Sequence, residues 1–144
     1  MNAWQKRFTQ KMEGLKNAAE QRFHRFATQS LAPIFEELRA FVEKFGITAQ
    51  SPLSREGIRT FRFEVNENTY CLLTFRADGM ERCDVLCEFY IPQIDKIDPI
   101  RVSEEIRAID AKWGRSIFEQ ALDLFIEGLT GTYGYEQEPL EATV

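Results

Sequence analysis

Cys83 and Cys87 stand four residues apart in the stretch RCDVLCEFY, and Cys71 is the only other thiol. Such spacing suits a metal chelate or a redox pair only if the side chains converge. On a strand, residues four apart share a face but stand ~13 Å apart. Two thiolates on one zinc each sit ~2.3 Å from the metal, so their sulfurs lie within ~5 Å of each other. Here Cys83, Val85, Cys87, Phe89 and Ile91 alternate with Arg82, Asp84, Glu88 and Tyr90. Period-two alternation is the mark of a strand. The thiols are therefore expected to be small buried hydrophobes, with no metal between them.

Other reactive groups fare no better. His24 is the only histidine and lies one helical turn after Glu20. Two potential ligands make no metal site, and such a pair is ordinarily a solvated helix face. A serine triad would need a nucleophile elbow, and no such pattern exists. Glu64, Asp84 and Glu88 share a strand side with Arg62 and Arg82, the arrangement of solvated cross-strand pairs rather than of an acid–base couple. The glycine-rich GLTGTYG follows a helix instead of linking a strand to one, so it is no phosphate cradle. No catalytic residue, cofactor or metal is expected, and the chain reads as a non-enzyme.

The elements that position these groups belong to one domain, since 144 residues is an ordinary single-domain length. A chain of this size buries roughly 68–70% of its unfolded surface and needs no staple. Twelve phenylalanines point to a substantial core. The net charge is −5, yet residues 1–25 carry six basic and two acidic side chains, a balance of +4 that leaves −9 elsewhere. The overall sign argues against nucleic acid as a partner. The last residues, 132–144, contain Glu136, Glu138 and Glu141 without a base and are expected to form an acidic, disordered tail after a domain spanning 1–131. The start shows no apolar signal region, and no apolar run approaches the ~20 residues of a membrane span. Three free cysteines then suit a reducing compartment, and the expectation is a cytoplasmic protein without membrane association.

Along the chain, Trp4, Phe8, Met12, Leu15, Ala19, Phe23, Phe26, Ser30 and Ile34 recur at steps of three and four. Leu38, Phe41, Val42 and Phe45 continue the stripe until Gly46. This predicts helices over 3–29 and 31–45, or one kinked rod, with Pro33 as the break and Ser30 as a cap. Residues 46–58 read as a loop. Three strands follow: IRTFRFEV, TYCLLTFR and ERCDVLCEFYI. Their apolar sides face one way only if each hairpin loop has an odd number of residues. The loops are then Asn66-Glu67-Asn68, with Asn68 left-handed, and Asp78-Gly79-Met80. This register sets Phe63 opposite Cys71, Phe75 opposite Cys83 and Cys71 opposite Cys87, leaving open whether that last pair can bond. Residues 93–102 read as a connector, Ser103 as the cap of a final helix, and Gly114 as a kink or a close contact within it. That helix carries one stripe through Ile106, Ile109, Trp113, Ile117, Ala121 and Leu124, and a second through Phe118, Leu122, Phe125 and Leu129.

The predicted fold is α+β: an N-terminal helical segment, a three-stranded antiparallel meander, and a C-terminal helix on the sheet. Two surfaces could meet a partner. On the outer sheet side the register brings Leu72 opposite Leu86, flanked by Tyr70 and Tyr90, and puts Arg76 opposite Arg82, an arrangement that invites an acidic and apolar peptide segment. On the N-terminal helix, Trp4, Phe8, Met12 and Leu15 form an apolar stripe remote from any necessary core position, which suits self-association through residues 1–30. The element order resembles that of secretion-chaperone-like folds, small dimeric proteins that bind polypeptide segments. The expected function is a chaperone-like protein-interaction module, a homodimer that binds a polypeptide. The alternative is a carrier of a small apolar ligand, held between helices and sheet by Phe61, Phe63, Phe75 and Phe89.

Overall fold

In the computed structural model, which describes residues 1–94 and 97–132, the N-terminal half is one rod. Helix α1 spans Ala3–Phe26, a π-helical turn spans Ala27–Leu31, and α2 spans Ala32–Glu43. Asn2 starts the rod with a capping box: its side chain accepts the Gln5 N–H while Gln5 accepts the Asn2 N–H. Pro33 does not break the rod. It sits in the first turn of α2, and the preceding turn widens, the Ala32 N–H reaching back five residues to the Ala27 carbonyl. Phe26, Ala27, Leu31 and Ala32 all keep right-handed helical dihedrals.

The widened turn has a consequence for packing. One extra residue rotates everything after it by about 100° relative to an unbroken 3.6-residue helix. The predicted stripe of Ser30, Ile34, Leu38, Phe41, Val42 and Phe45 is therefore only partly kept: Ile34 and Val42 are buried and are joined by Leu31 and Phe35, while Phe41 and Phe45 are 54% and 69% exposed. Gly46, at a φ of +80°, ends the rod as expected, and the Ile47 N–H closes on the Val42 carbonyl.

The sheet is wider than the predicted meander. Strands β3 (Ile58–Asn66), β4 (Thr69–Asp78) and β5 (Arg82–Tyr90) form its centre. Short strands β1 (Thr48–Gln50) and β2 (Ser54–Arg55), inside the expected loop, both pair with β3, and β6 (Ile100–Glu105) pairs with β5. Every pairing is antiparallel. Two- and three-residue strands carry no readable alternation. Just before β6, Asp98-Pro99 imitates a turn, and within it Ser103-Glu104-Glu105 imitates a helix start. Ser103 is thus a strand residue. After a 3-10 turn (Ile106–Ala108), α3 (Ala111–Thr132) begins at Asp110, whose carboxylate accepts the Trp113 N–H at 2.8 Å. The expected tail lies, beyond Thr132, outside the described residues.

Both hairpins differ from the derived register. In the first, Phe63 does oppose Cys71, but a bulge at Val65 brings Asn66 opposite Thr69. Asn66 closes the turn by accepting the Asn68 N–H, and among the described residues no non-glycine, Asn68 included, has a positive φ. In the second, Asp78 opposes Arg82 around the three-residue loop Gly79-Met80-Glu81. The count is odd, as facing requires, but the pairing is offset by two: Phe75 opposes Val85, Cys71 opposes Phe89, and Cys87 opposes Leu73. An offset of two preserves which side faces in. Phe61, Phe63, Cys71, Leu73, Phe75, Cys83, Val85, Cys87, Phe89 and Ile91 are all buried.

Helix α3 lies on that face. Its Phe118 is fully buried, with ring centroids 5.1 Å from Phe61, 5.6 Å from Phe75, 6.1 Å from Phe63 and 6.5 Å from Phe35. Ile117, Ala121 and Phe125 complete the helix's buried line, drawn from both predicted stripes, whereas Leu124 stays exposed. Gly114 is a close contact: a Cβ there would stand 3.0 Å from the Leu31 Cδ2 and 3.3 Å from the Phe26 Cζ, so α3 crosses the π turn at this residue.

Candidate functional site

All three cysteines are buried and unbonded. Burial pushes every thiol up, Cys87 to about 11 and Cys83 to about 12; at Cys71 the nearby Cys87 adds to the effect of burial, and at Cys83 the nearby Asp84 does. Thiolate is the reactive form, so near neutrality these groups are inert. Intact protein at about pH 8 is expected to leave all three unlabelled by DTNB over a time in which urea-unfolded chain reacts at each. The folded chain holds these protons more tightly than the unfolded one. The resulting stabilisation is complete below the ordinary thiol value of 9.0 and is lost as pH climbs toward about 11 at Cys87. Among the described residues no three His, Cys, Asp or Glu side chains gather as a metal site would require.

The outer sheet face carries the six residues expected to contact a partner, in a different arrangement. Tyr70 and Tyr90 do come together, stacked with centroids 4.6 Å apart, and the Arg62 guanidinium lies 3.7 Å above the Tyr70 ring. Arg62 also donates to Glu64 at 2.8 Å. Leu72, however, opposes Glu88, and Leu86 opposes Thr74 and Arg101, so the two leucines do not pair. Arg76 opposes Asp84, and Arg82 lies between Asp78 and Glu105. The two-residue offset separates Arg76 from Arg82, so the facing like charges expected to invite an acidic ligand are absent from this face. Ser103 links the remainder, accepting from Arg82 at 2.8 Å and donating to Asp84 at 2.7 Å. That hydroxyl holds the Asp84 carboxyl below its usual range, while the diagonally placed Asp84 holds Asp78 above it. Glu88 accepts the Tyr90 hydroxyl at 2.7 Å and raises it to about 12. A shallow cavity of about 480 Å³ on this face is lined by strand residues alone, among them Arg76, Asp84, Leu86 and Arg101.

The N-terminal stripe is solvent-facing. Trp4, Phe8 and Leu15 are 60%, 51% and 54% exposed, and Met12 is half-buried. The Trp4 and Phe8 rings stack at 5.3 Å. Ala19 is the first buried residue of α1, and Leu15 and Ala18 border a cleft with Met80 and Ile106, so about three turns extend past the fold. The same stripe enters the core at Phe23 and Phe26, which explains its continuous periodicity.

Two features were not anticipated. A groove of about 470 Å³ between α2 and α3 is lined by Phe41, Phe45, Leu122 and Ile126, with Glu119 and Asp123 along it. It exists because the π turn rotates Phe41 and Phe45 outward, which no stripe count reveals. A second cavity, of about 920 Å³, opens between the π turn and β2–β3. In its wall His24 Nδ1 lies 3.0 Å from Arg59 Nη2. Glu20 lines this cavity with His24, and no metal cluster forms there. Arg59 was visible in principle, since it alternates in phase with Phe61 and Phe63 on the inward side of β3. Of the four phenylalanines expected to enclose a ligand, only Phe61 lines this cavity; Phe61, Phe63 and Phe75 pack against Phe118, and Phe89 is buried in the core away from it.

No family model, no curated protein and no solved structure matches the chain. Among the described residues no helix is long and apolar enough to cross a membrane. The architecture is α+β around an antiparallel sheet.

Proposed function

We infer that the protein is a non-enzymatic, chaperone-like interaction module that works as a homodimer, each copy laying the arm of α1 before Ala19 into the α2–α3 groove of the other. The observation that carries this reading is the exposed Trp4, Phe8 and Leu15 on an arm that leaves the core. Large aromatic side chains at regular helical spacing bury a partner surface when no core of their own receives them. The groove supplies matching chemistry: an apolar floor of Phe41, Phe45, Leu122 and Ile126 edged by Glu119 and Asp123. The arm's flanks carry Lys6, Arg7, Lys11 and Lys16. An apolar centre with a complementary charged rim is the usual anatomy of an interface.

The arm cannot fill the groove of its own chain. α1 and α2 form one rod, so Leu15 and Phe41 are held about 39 Å apart at 1.5 Å per residue. A reciprocal exchange between two copies closes on itself and generates a two-fold dimer. The outer sheet face, with the Tyr70–Tyr90 stack and Leu72, Arg76, Arg82 and Leu86, is the surface such a dimer offers to a polypeptide.

Light scattering tests the reading. The full chain is expected at twice its chain mass, and a chain lacking residues 1–16 at its own chain mass while still unfolding in one cooperative circular-dichroism transition. That cut spares Ala19, Phe23 and Phe26, which a cut at Ser30 would remove from the core. A full chain of single mass, or a truncated chain that remains double, overturns it.

A further inference from the structure

We propose that the cavity between the π turn and β2–β3 binds a small oxyanion, a carboxylate or phosphate bearing an apolar body, with Arg59 as the anchor. The proposal is independent of the dimer, since none of the residues it uses belongs to the arm or to the α2–α3 groove.

Arg59 is 8% exposed. Its Nη1 donates to the Arg55 and Ile58 carbonyls, and its Nη2 contacts His24 Nδ1 at 3.0 Å. A guanidinium can only donate, so this His24 nitrogen is the acceptor and its ring proton sits on Nε2. Every partner of Arg59 is therefore neutral. No carboxylate among the described residues lies within ion-pair distance of it. Buried charges are ordinarily paired, because a lone ion forfeits its hydration without a Coulomb return. Burial alone lowers the Arg59 value, with no anion to offset it.

The guanidinium has five N–H donors. Three meet the acceptors just named. Nε–H and the second Nη2–H have no partner among the described residues, and two donors on one planar group suit an oxyanion held by two oxygens.

The surroundings fix the rest of the ligand. Phe35, Phe61, Ala27 and Ala32 offer an apolar wall beside the cation. The volume of about 920 Å³ is within the range of small-molecule sites. The rim charges do not select a cation. Glu36 is engaged by Arg39 at 3.7 Å, and the two other lining carboxylates, Glu20 and Glu56, are equalled in number by Arg25 and Arg55, which leaves Arg59 as the surplus charge. The π turn contributes directly: its Ala27 and Thr28 line the space, and single π turns are frequent at functional sites.

Because His24 is the only histidine, its imidazole proton signals are unambiguous reporters by NMR. Titration of the full-length protein with octanoate is expected to shift the His24 signal saturably, with a Kd below about 1 mM. Octyl phosphate tests the phosphate arm, and at least one of the two must saturate. Inorganic phosphate, lacking the apolar body, is expected to bind about tenfold or more weakly than octyl phosphate. Arg59→Gln is expected to weaken the better amphiphile at least about tenfold, and Arg59→Lys, which keeps charge but loses the fork, to fall between. Ala32→Trp, placed on the exposed side of α2, fills the cavity and is expected to abolish the shift while leaving unfolding unchanged; it decides the matter if Arg59→Gln does not fold. A linear, unsaturated response to both amphiphiles overturns the proposal. So does equal binding by Arg59→Gln, or by Ala32→Trp.

Discussion

Phe118→Ala is expected to lower the unfolding free energy by about 3–5 kcal/mol. Phe118 touches both layers: Phe61, Phe63 and Phe75 of the sheet, and Phe35 of the rod. It has no exposed surface. Its removal loses the transfer free energy of a benzyl group and leaves a cavity among four rings that cannot all close in, since each is fixed by its own strand or helix. Domains are typically stable by only 5–15 kcal/mol in all, so a loss of this size is a large share of the total. Urea unfolding reads it as a lower midpoint at unchanged slope. Leu124→Ala on the same helix is the control, expected within about 0.5 kcal/mol because Leu124 is 43% exposed. If Phe118→Ala costs under about 1 kcal/mol, α3 does not pack on the sheet as described.

That centre was legible in the sequence because it depends on parity alone. Alternation from Phe61 to Ile91 states which side chains face inward, and the odd-loop rule carries the facing across each turn. What parity cannot carry is offset. Moving Cys83 from opposite Phe75 to opposite Ala77 changes no residue's side, yet it replaces an Arg76–Arg82 pair by Arg76–Asp84. The candidate docking face depended on neighbours across strands, and so was the more exposed to this error. The rod shows the same contrast. Its helical period holds as far as Phe26, but whether Pro33 kinks it or is absorbed by a π turn depends on how Leu31 and Phe35 find places against Phe61 and Gly114. That competition is tertiary. It decides the outward rotation of Phe41 and Phe45, and with it the groove. The edge strands β1, β2 and β6 owe their existence to backbone donors and acceptors left open on β3 and β5, which leave no pattern in the side chains.

The exchange of arms is separated from simple bundling of two arms by changing the groove alone. Trp4→Ala in the arm is expected to weaken the dimer about 30-fold or more, the effect of a buried aromatic anchor worth at least about 2 kcal/mol. Either arrangement predicts that loss. Only the exchange predicts that Glu119→Lys with Asp123→Lys also weakens it, since these two acids edge the groove and stand on α3, away from any arm–arm contact. Their reversal turns attraction to Lys6 and Lys11 into repulsion. An exposed pair contributes about 0.2–1 kcal/mol, and facing like charges cost a similar amount, so reversing two sites is expected to raise Kd about tenfold. Combining that variant with Lys6→Glu and Lys11→Glu restores opposite signs across the interface and is expected to recover most of the affinity. A double reversal that behaves as the sum of its halves shows that the two surfaces do not meet. The measurement is sedimentation equilibrium at low salt, repeated at high salt, where screening must shrink both the loss and the rescue if they are electrostatic.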